Sequence, residues 1–457
     1  MITRKQHGFI SGVLNFTPTQ LIPLGFAVIV LIGSILLNLP AASRDGNSIG
    51  YINALFTATS AVCVTGLVVV DTYTHWTTFG QIVILFLIQI GGLGFMTIAT
   101  LFSLVLGRRI SYKERMIIAE SLNEYSLEGI IRLTKQILLG TLLFEGVGAV
   151  ILSLKFIDDF GIADGIYKGV FHAISAFCNA GFDLMGQRAA FSSLTAYADD
   201  TIINLTIMCL VVIGGLGFSV WNDVYTVKKF RKLRLHTKLV LAVTAVLLIV
   251  GFVAFLLLEL NNPRTLQSMG VKDKLLASMF QSVTPRTAGF NTLALSDLTN
   301  ASKFVTIILM FIGGSPGSTA GGIKTATVGV LFFAVFSVLR GSEYTNLFKR
   351  RLNIQVILRA LTIVVISLVI VVTTTVILSI FEQTTFLEVF FEAVSAFGTV
   401  GLSLGITPTL TTVSKIAVII TMFLGRVGVL TMALALTIKM YKSNANYKYP
   451  EGKVMVG

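Results

Sequence analysis

Charge is scarce in this sequence. Asp, Glu, Lys and Arg make up 12% of 457 residues, against 54% hydrophobic residues. A soluble domain of that length could not hide so much apolar surface from water. Metal and redox chemistry lack their residues as well. The three cysteines, Cys63, Cys178 and Cys209, all lie in apolar runs and form no CxxC pair, so they read as small core residues. The four histidines (His7, His75, His172, His236) show no ligand spacing. A zinc or redox enzyme is therefore unsupported, and no organic cofactor is expected in this chain. Paired catalytic groups are missing too: there is no Ser/His, Asp/Asp or HExxH constellation, and an enzyme is not expected. No cleavable leader is evident. The first apolar run, from near Leu21, is long enough to span a membrane and reads as retained.

What the sequence has is long apolar runs. They lie near 20–40, 76–106, 133–156, 201–227, 237–260, 302–340 (interrupted), 354–381 and 412–440. Such runs are too long for barrel strands of ~10 residues and suit helices in lipid. Within each consecutive pair lies a shorter half-apolar stretch, at 51–63, 166–178, 272–284 and 385–397. Such a stretch extends only ~20 Å as helix, short of a ~30 Å hydrocarbon core, so it can enter and return but not cross.

These short stretches resemble one another. They read ALFTATSAVCVTGL (54–67), GVFHAISAFCNAGF (169–182), SMFQSVTPRTAGFN (278–291) and VFFEAVSAFGTVGL (389–402). The helix that follows repeats as well, with IGGLGF at 90–95 and at 213–218, IGGSPG at 312–317 and FLGRVG at 423–428. The expected fold is an all-α integral membrane protein of four tandem helix–pore loop–helix repeats, with eight spanning helices and four re-entrant half-helices around a central pore. The expected repeats are 1–110, 111–232, 233–345 and 346–457, the third with an interrupted second helix.

Orientation follows from charge. The segments 1–20, 107–135, 222–238, 340–359 and 439–457 hold 23 of the 35 Lys and Arg residues but only 7 of the 22 Asp and Glu. The basic side is expected to be cytoplasmic, with both termini there and the pore loops entering from outside. The net charge of +13 is then mostly a topology signal. The run KKFRKLRLHTK at 228–238 reads as a membrane-flanking loop, and no nucleic-acid partner is expected.

Four pore loops around an axis make a candidate filter. Aligned backbone carbonyls can replace the water shell of a cation, and glycine permits the turn without a side chain in the path. The expected strands are Val64, Thr65, Gly66 and Leu67; Asn179, Ala180, Gly181 and Phe182; Thr287, Ala288, Gly289 and Phe290; and Thr399, Val400, Gly401 and Leu402. A lone xxGx means nothing. Four copies, each between a half-span and a glycine-marked helix, are specific. Close helix packing is the alternative use of such glycines.

This layout resembles the superfamily of K⁺ transporters that includes Trk, Ktr and the plant high-affinity transporters. Within it the chain looks like the KtrB-type membrane subunits of bacterial Ktr systems. The resemblance covers essentially the whole chain. It implies K⁺ uptake across a bacterial cell membrane, often dependent on Na⁺, a homodimer, and a cytoplasmic nucleotide-binding ring of KtrA type as regulator. A serine in place of the first filter glycine accompanies Na⁺ transport in plant members; Gly66 stands there in this chain. A sodium or weakly selective cation pore is the alternative.

The run Gly313, Gly314, Ser315, Pro316, Gly317, Ser318, Thr319, Ala320, Gly321, Gly322 cannot continue a helix, at ~1 kcal/mol per Gly and ~3 per Pro. Irregular backbone at membrane depth must be buried or line water, and the resemblance implies an intramembrane gate. A static kink is the other reading. Lys324 follows as a cation at the loop's edge or a snorkelling side chain. Arg426 falls near mid-membrane in the last helix, where charged groups face interiors or water; it aligns in sequence with Leu93, Leu216 and Ser315 and is expected to act with the gate. Glu145 reads as structural, behind the pore wall. Arg286 is expected to brace the third strand.

Overall fold

The computed structural model describes residues 18–94, 96–98, 100–101, 110, 112–121, 129–429 and 431–432. The basic segments 1–20, 107–135 and 439–457 therefore fall wholly or partly outside the described residues.

A three-part unit occurs four times in order. Each begins with a long first helix: Pro18–Leu37, Ile130–Phe160, Leu235–Glu259 and Ile354–Phe381. A pore helix follows, at Tyr51–Val62, Ile162–Phe177, Val271–Val283 and Phe386–Gly398. An irregular segment then leads to a second helix, at Thr78–Leu93, Thr201–Leu216, Asn300–Phe311 and Thr412–Val427. The second helices share a start signal. Thr77, Asp200, Thr299 and Thr411 each cap one, the side chain accepting a backbone N–H of the first turn.

The first helices are long and apolar enough to cross a membrane by themselves. Their outward faces are exposed apolar side chains, such as Leu139, Leu142 and Leu143 in unit two and Val365 and Val369 in unit four. Such a face is stable against lipid and not against water.

The second helices differ from expectation. Runs 76–106, 201–227 and 412–440 were expected to span unbroken. Instead the helices end at Leu93, Leu216 and Val427, each followed by a glycine with positive φ: Gly94 (+81°), Gly217 (+93°) and Gly428 (+93°). A helix cannot pass through that φ, and glycine adopts it without a Cβ clash. In unit two the chain turns by 95° into Phe218–Val227. In unit three Asn300–Phe311 gives way to irregular backbone before Thr325–Leu339. By length and composition, four described helices can cross, or five if the bent pair of unit two is one span.

The units close into a ring. The second helix of unit one packs on the pore helix of unit two, that of two on three, that of three on four, and that of four back on one. The pore helices are thus the buried inner layer. Phe56, Phe171, Phe280 and Phe391, one from each, are at most 2% exposed.

Candidate ion pathway

The four expected filter strands meet at the centre of this ring. Each follows the C-terminus of its pore helix directly, so the partially negative helix ends point toward it. Two residues of each strand have left-handed backbone. The glycines do, at φ +92° (Gly66), +70° (Gly181), +80° (Gly289) and +89° (Gly401). So do the residues two positions earlier: Val64 (+50°), Asn179 (+57°), Thr287 (+69°) and Thr399 (+51°). Alternating hand along a strand turns successive carbonyls to the same side. Sequence reading expected positive φ only at the glycines. Asparagine is the one side chain among these that tolerates it well, and β-branched Val64, Thr287 and Thr399 are held there against ~1–3 kcal/mol of strain each.

The strands touch through backbone. A Cβ built on Gly181 would lie 2.8 Å from Ala288 O, and one on Gly289 would lie 2.7 Å from Val400 O. One on Gly66 would collide with Ala180 O, and one on Gly401 with Thr65 O. The carbonyls of Thr65, Ala180, Ala288 and Val400 therefore form one matched tier, each beside a neighbouring glycine. Leu67, Phe182, Phe290 and Leu402 are at most 1% exposed. The carbonyls of Phe182 and Phe290 accept hydrogen bonds from Ser175 Oγ (2.7 Å) and Thr284 Oγ1 on their own pore helices. Those two oxygens are turned back behind the strand. These hydrogen bonds tie the outer end of each strand to its own pore helix.

Outside the filter lies a cavity of 480 Å³ reached by Gly66, Gly181, Gly289 and Gly401, with Asp71 and Asp183 in its wall. Burial pushes the Asp183 carboxyl up to about 7; the Met185 N–H opposes the rise and neighbouring Asp71 adds to it. Asp71 is committed to structure, accepting from the N–H groups of Tyr73, Thr74 and Phe191.

On the other side, residues 313–322 close against the filter and the second helices. Ser315 Oγ donates to Leu216 O (2.7 Å) or Gly215 O (2.9 Å), Ser315 N–H donates to Gly215 O (3.0 Å), and Phe218 N–H donates to Gly317 O (2.9 Å). Thr319 Oγ1 donates to Phe177 O or to Asn179 Oδ1 (3.1 Å). Asn179 Nδ2 lies 3.2 Å from Thr287 Oγ1, so one amide joins two filter strands and the loop. Its side-chain role was not legible from Asn179 as a filter position. Lys324 Nζ donates back to Ala320 O (2.6 Å), at the loop's edge.

Arg426 bridges this loop to unit one. Its guanidinium donates to Thr319 O, Gly91 O and Gly92 O, the last at 3.1 Å. Backbone carbonyls thus surround a charge that has no carboxylate within ion-pair distance among the described residues. Packing also shifts the sequence alignment by one residue. Gly91, Gly214 and Gly425 each press on the last turn of a pore helix, at Val62 O, Phe177 O and Phe397 O, with no room for a Cβ. Arg426 therefore corresponds to Gly92 and Gly215, not to Leu93 and Leu216.

Two further expectations change. Arg286 does not brace its strand by side-chain hydrogen bonds; its guanidinium reaches Thr244 O (3.3 Å) on the first helix of unit three, and only its backbone carbonyl meets Asn179. Cys63 and Cys178 are buried, but Cys209 is exposed on a helix face. Glu145 is buried and accepts from Gln89 Nε2 (3.1 Å) behind the second filter strand.

Apolar outward faces, a ring of short buried helices and a tier of backbone carbonyls are the features a membrane cation pathway would need. Residues 21–449 match the family model described as TrkH, cation transport protein. The chain belongs to that family. It is 43% identical over 447 residues to the potassium/sodium uptake protein NtpJ of Enterococcus hirae, covering 97% of this chain and 98% of that one. It is 44% identical to the Ktr system potassium uptake protein B of Bacillus subtilis (97% and 98% covered) and 40% to that of Vibrio alginolyticus (96% and 94%). The crystal structure of the potassium transporter TrkH from Vibrio parahaemolyticus shares the fold, with a TM-score of 0.70 at 20% identity over 92% of this chain and 86% of that one.

Proposed function

We propose that this chain takes up K⁺ across a bacterial cell membrane through the four-strand filter, with residues 313–322 and Arg426 as its intramembrane gate. The observation that carries the reading is the tier of Thr65, Ala180, Ala288 and Val400 carbonyls, each set by a left-handed residue on either side. Such oxygens replace a hydration shell without a charged side chain. The four repeats are taken as 1–110, 111–232, 233–345 and 346–457, giving eight crossings when each broken second helix counts with its continuation. The basic side and both termini face the cytoplasm. A homodimer, Na⁺ dependence and a nucleotide-binding ring of KtrA type belong to the same reading, supported by relatives named for the Ktr system. The test is uptake into vesicles holding the purified chain, with K⁺ and Na⁺ compared. K⁺ uptake exceeding Na⁺ uptake, and growth of an uptake-deficient host on limiting K⁺, is expected. Equal fluxes would favour a weakly selective pore, a reading encouraged by the four unlike strands.

A further inference from the structure

Each pore helix presents one polar side chain behind its filter strand at a matched place. It directly follows the buried Phe56, Phe171, Phe280 or Phe391, and it is Thr57, His172, Gln281 or Glu392. All four are at most 1% exposed. A polar group so deeply buried is nearly always hydrogen-bonded in a native protein. The four units meet that demand differently.

In unit four, Glu392 accepts from Ser403 Oγ at 2.7 Å and from Thr407 Oγ1. Ser403 directly follows the last filter residue, so the carboxylate pins the strand's outer end. In unit two, His172 Nδ1 lies 2.7 Å from Lys168 O and must donate there. Its Nε2 is then the acceptor for the Leu184 N–H, at 3.3 Å. These partners assign the neutral Nδ1–H tautomer. Leu184 stands two residues beyond Phe182, so this strand is pinned one residue further out than strand four. In unit one, Thr57 spends its hydroxyl on Asn53 O of its own helix (3.0 Å), and the strand is held instead by the Gly66 N–H donating to Ser60 Oγ (3.1 Å).

Unit three is different. Neither amide atom of Gln281 has a partner, and neither does Ser278 Oγ or Thr292 Oγ1. Ser278 and Gln281 lie one turn apart on the same helix face. Thr292 stands two residues beyond Phe290, as Leu184 does beyond Phe182. Buried unpaired polar atoms are what an ordered water satisfies, since it needs two to four polar partners.

We propose that this matched position sets the filter's selectivity from behind. His172 and Glu392 are positioning residues that fix the outer ends of strands two and four. Gln281 does the same for strand three through bound water shared with Thr292. The inference rests on the filter reading above. An ion-sized opening discriminates only as well as its carbonyls are held, and these contacts hold them where the turned-back carbonyls of Phe182 and Phe290 end the strand.

The test compares K⁺/Na⁺ uptake ratios in vesicles for His172→Leu, Glu392→Leu, His172→Gln, Glu392→Gln and Gln281→Leu, per folded molecule, with thermal midpoints. Gly181→Ser runs alongside as the check on the filter itself. The His172→Leu and Glu392→Leu variants should lower the ratio by about tenfold, the effect of losing a buried hydrogen bond. Glutamine can restore an acceptor at either place, so His172→Gln and Glu392→Gln should stay near the unmodified ratio. Gln281→Leu should lower the ratio as well. An unchanged ratio there with a higher thermal midpoint would overturn the water-mediated contact. Unchanged ratios in His172→Leu and Glu392→Leu, with Gly181→Ser altered, would overturn the braces and leave the filter standing. If Gly181→Ser also changes nothing, the filter reading falls and the braces with it. Should Glu392→Leu fail to fold, Ser403→Ala with Thr407→Val removes the same contacts and is judged by the same ratio.

Discussion

At the residue scale, the pathway depends on backbone that most side chains resist. Gly66 and Gly401 sit where any Cβ would strike a carbonyl of the neighbouring strand, Ala180 O or Thr65 O, and both have φ near +90°. Gly66→Ser should therefore displace one member of the carbonyl tier. The expected result is a K⁺/Na⁺ uptake ratio lowered by about tenfold or more, an energy difference of only ~1.4 kcal/mol, with the protein still folded in detergent. A ratio unchanged in all four Gly→Ser variants would remove the filter assignment. The glycines were legible in the sequence because they recur in four copies. Val64, Asn179, Thr287 and Thr399 were not legible as left-handed residues, because nothing in Val or Thr signals a conformation that local sterics disfavour. Only the surrounding ring imposes it. Arg426 is the other residue with a separable role. Arg426→Gln removes a charge and leaves at least one of the Thr319, Gly91 and Gly92 carbonyls without its donor. Loss of such a partner costs about 1–3 kcal/mol. We expect a lowered thermal midpoint together with raised flux per folded molecule. Lost stability with unchanged flux would make the arginine a brace alone.

At the element scale, the second helices are where sequence reading and structure part. The break in unit three was legible: five glycines and a proline within ten residues leave no doubt about helix cost. The breaks at Gly94, Gly217 and Gly428 were not. A single glycine inside an apolar run costs only ~1 kcal/mol as helix, and it gives no sign of which φ the fold will choose. The IGGLGF copies marked the place but were read only as a sign of the repeat. Packing does explain Gly91 and Gly214, pressed on the pore helices, while Gly94 and Gly217 make the turn. The pore helices themselves were legible to within a few residues, since a half-span between two long runs has few other uses. The irregular segment of unit three gives the prediction at this scale. It is held by Ser315 to Gly215 and Leu216, and by Thr319 to the Asn179 side chain or the backbone of Phe177. Deleting Ser315–Ala320 removes all of these and the Arg426–Thr319 contact together. Flux should rise several-fold in a folded protein, about as expected when a barrier falls by ~1–2 kcal/mol. A folded deletion variant conducting at the unmodified rate would make the segment a kink. Adding Arg426→Gln to the deletion should then contribute little further, because their effects share one contact; additive gains would separate the two.

At the scale of the whole molecule, direction is set by charge and not by the pore. The four-unit ring has two unlike ends: the cavity walled by Asp71 and Asp183, and the end where residues 313–322 meet the guanidinium of Arg426. Nothing about the ring alone says which end faces the cell interior. The basic segments do. Lys228, Lys229, Arg231, Lys232 and Arg234 follow the bent second helix of unit two, and Arg350 and Arg351 lie in the hairpin between units three and four. Both groups are at the far end of their second helices from the filter cavity. Positive loops stay on the cytoplasmic side during insertion, which is the ground for proposing the cavity outside and the loop end inside. A cysteine placed at Arg231 (Arg231→Cys) should then react with a membrane-impermeant maleimide only after the cells are opened. One at Gly405 (Gly405→Cys), in the cavity wall, should react in intact cells. The native thiols serve as the background control, since Cys63 and Cys178 are buried and Cys209 is exposed on an apolar helix. Labelling of Arg231→Cys from outside would reverse the molecule, and ions would then meet the loop before the filter. A pore so oriented would be built for release, and the uptake reading would fail even with every filter contact intact.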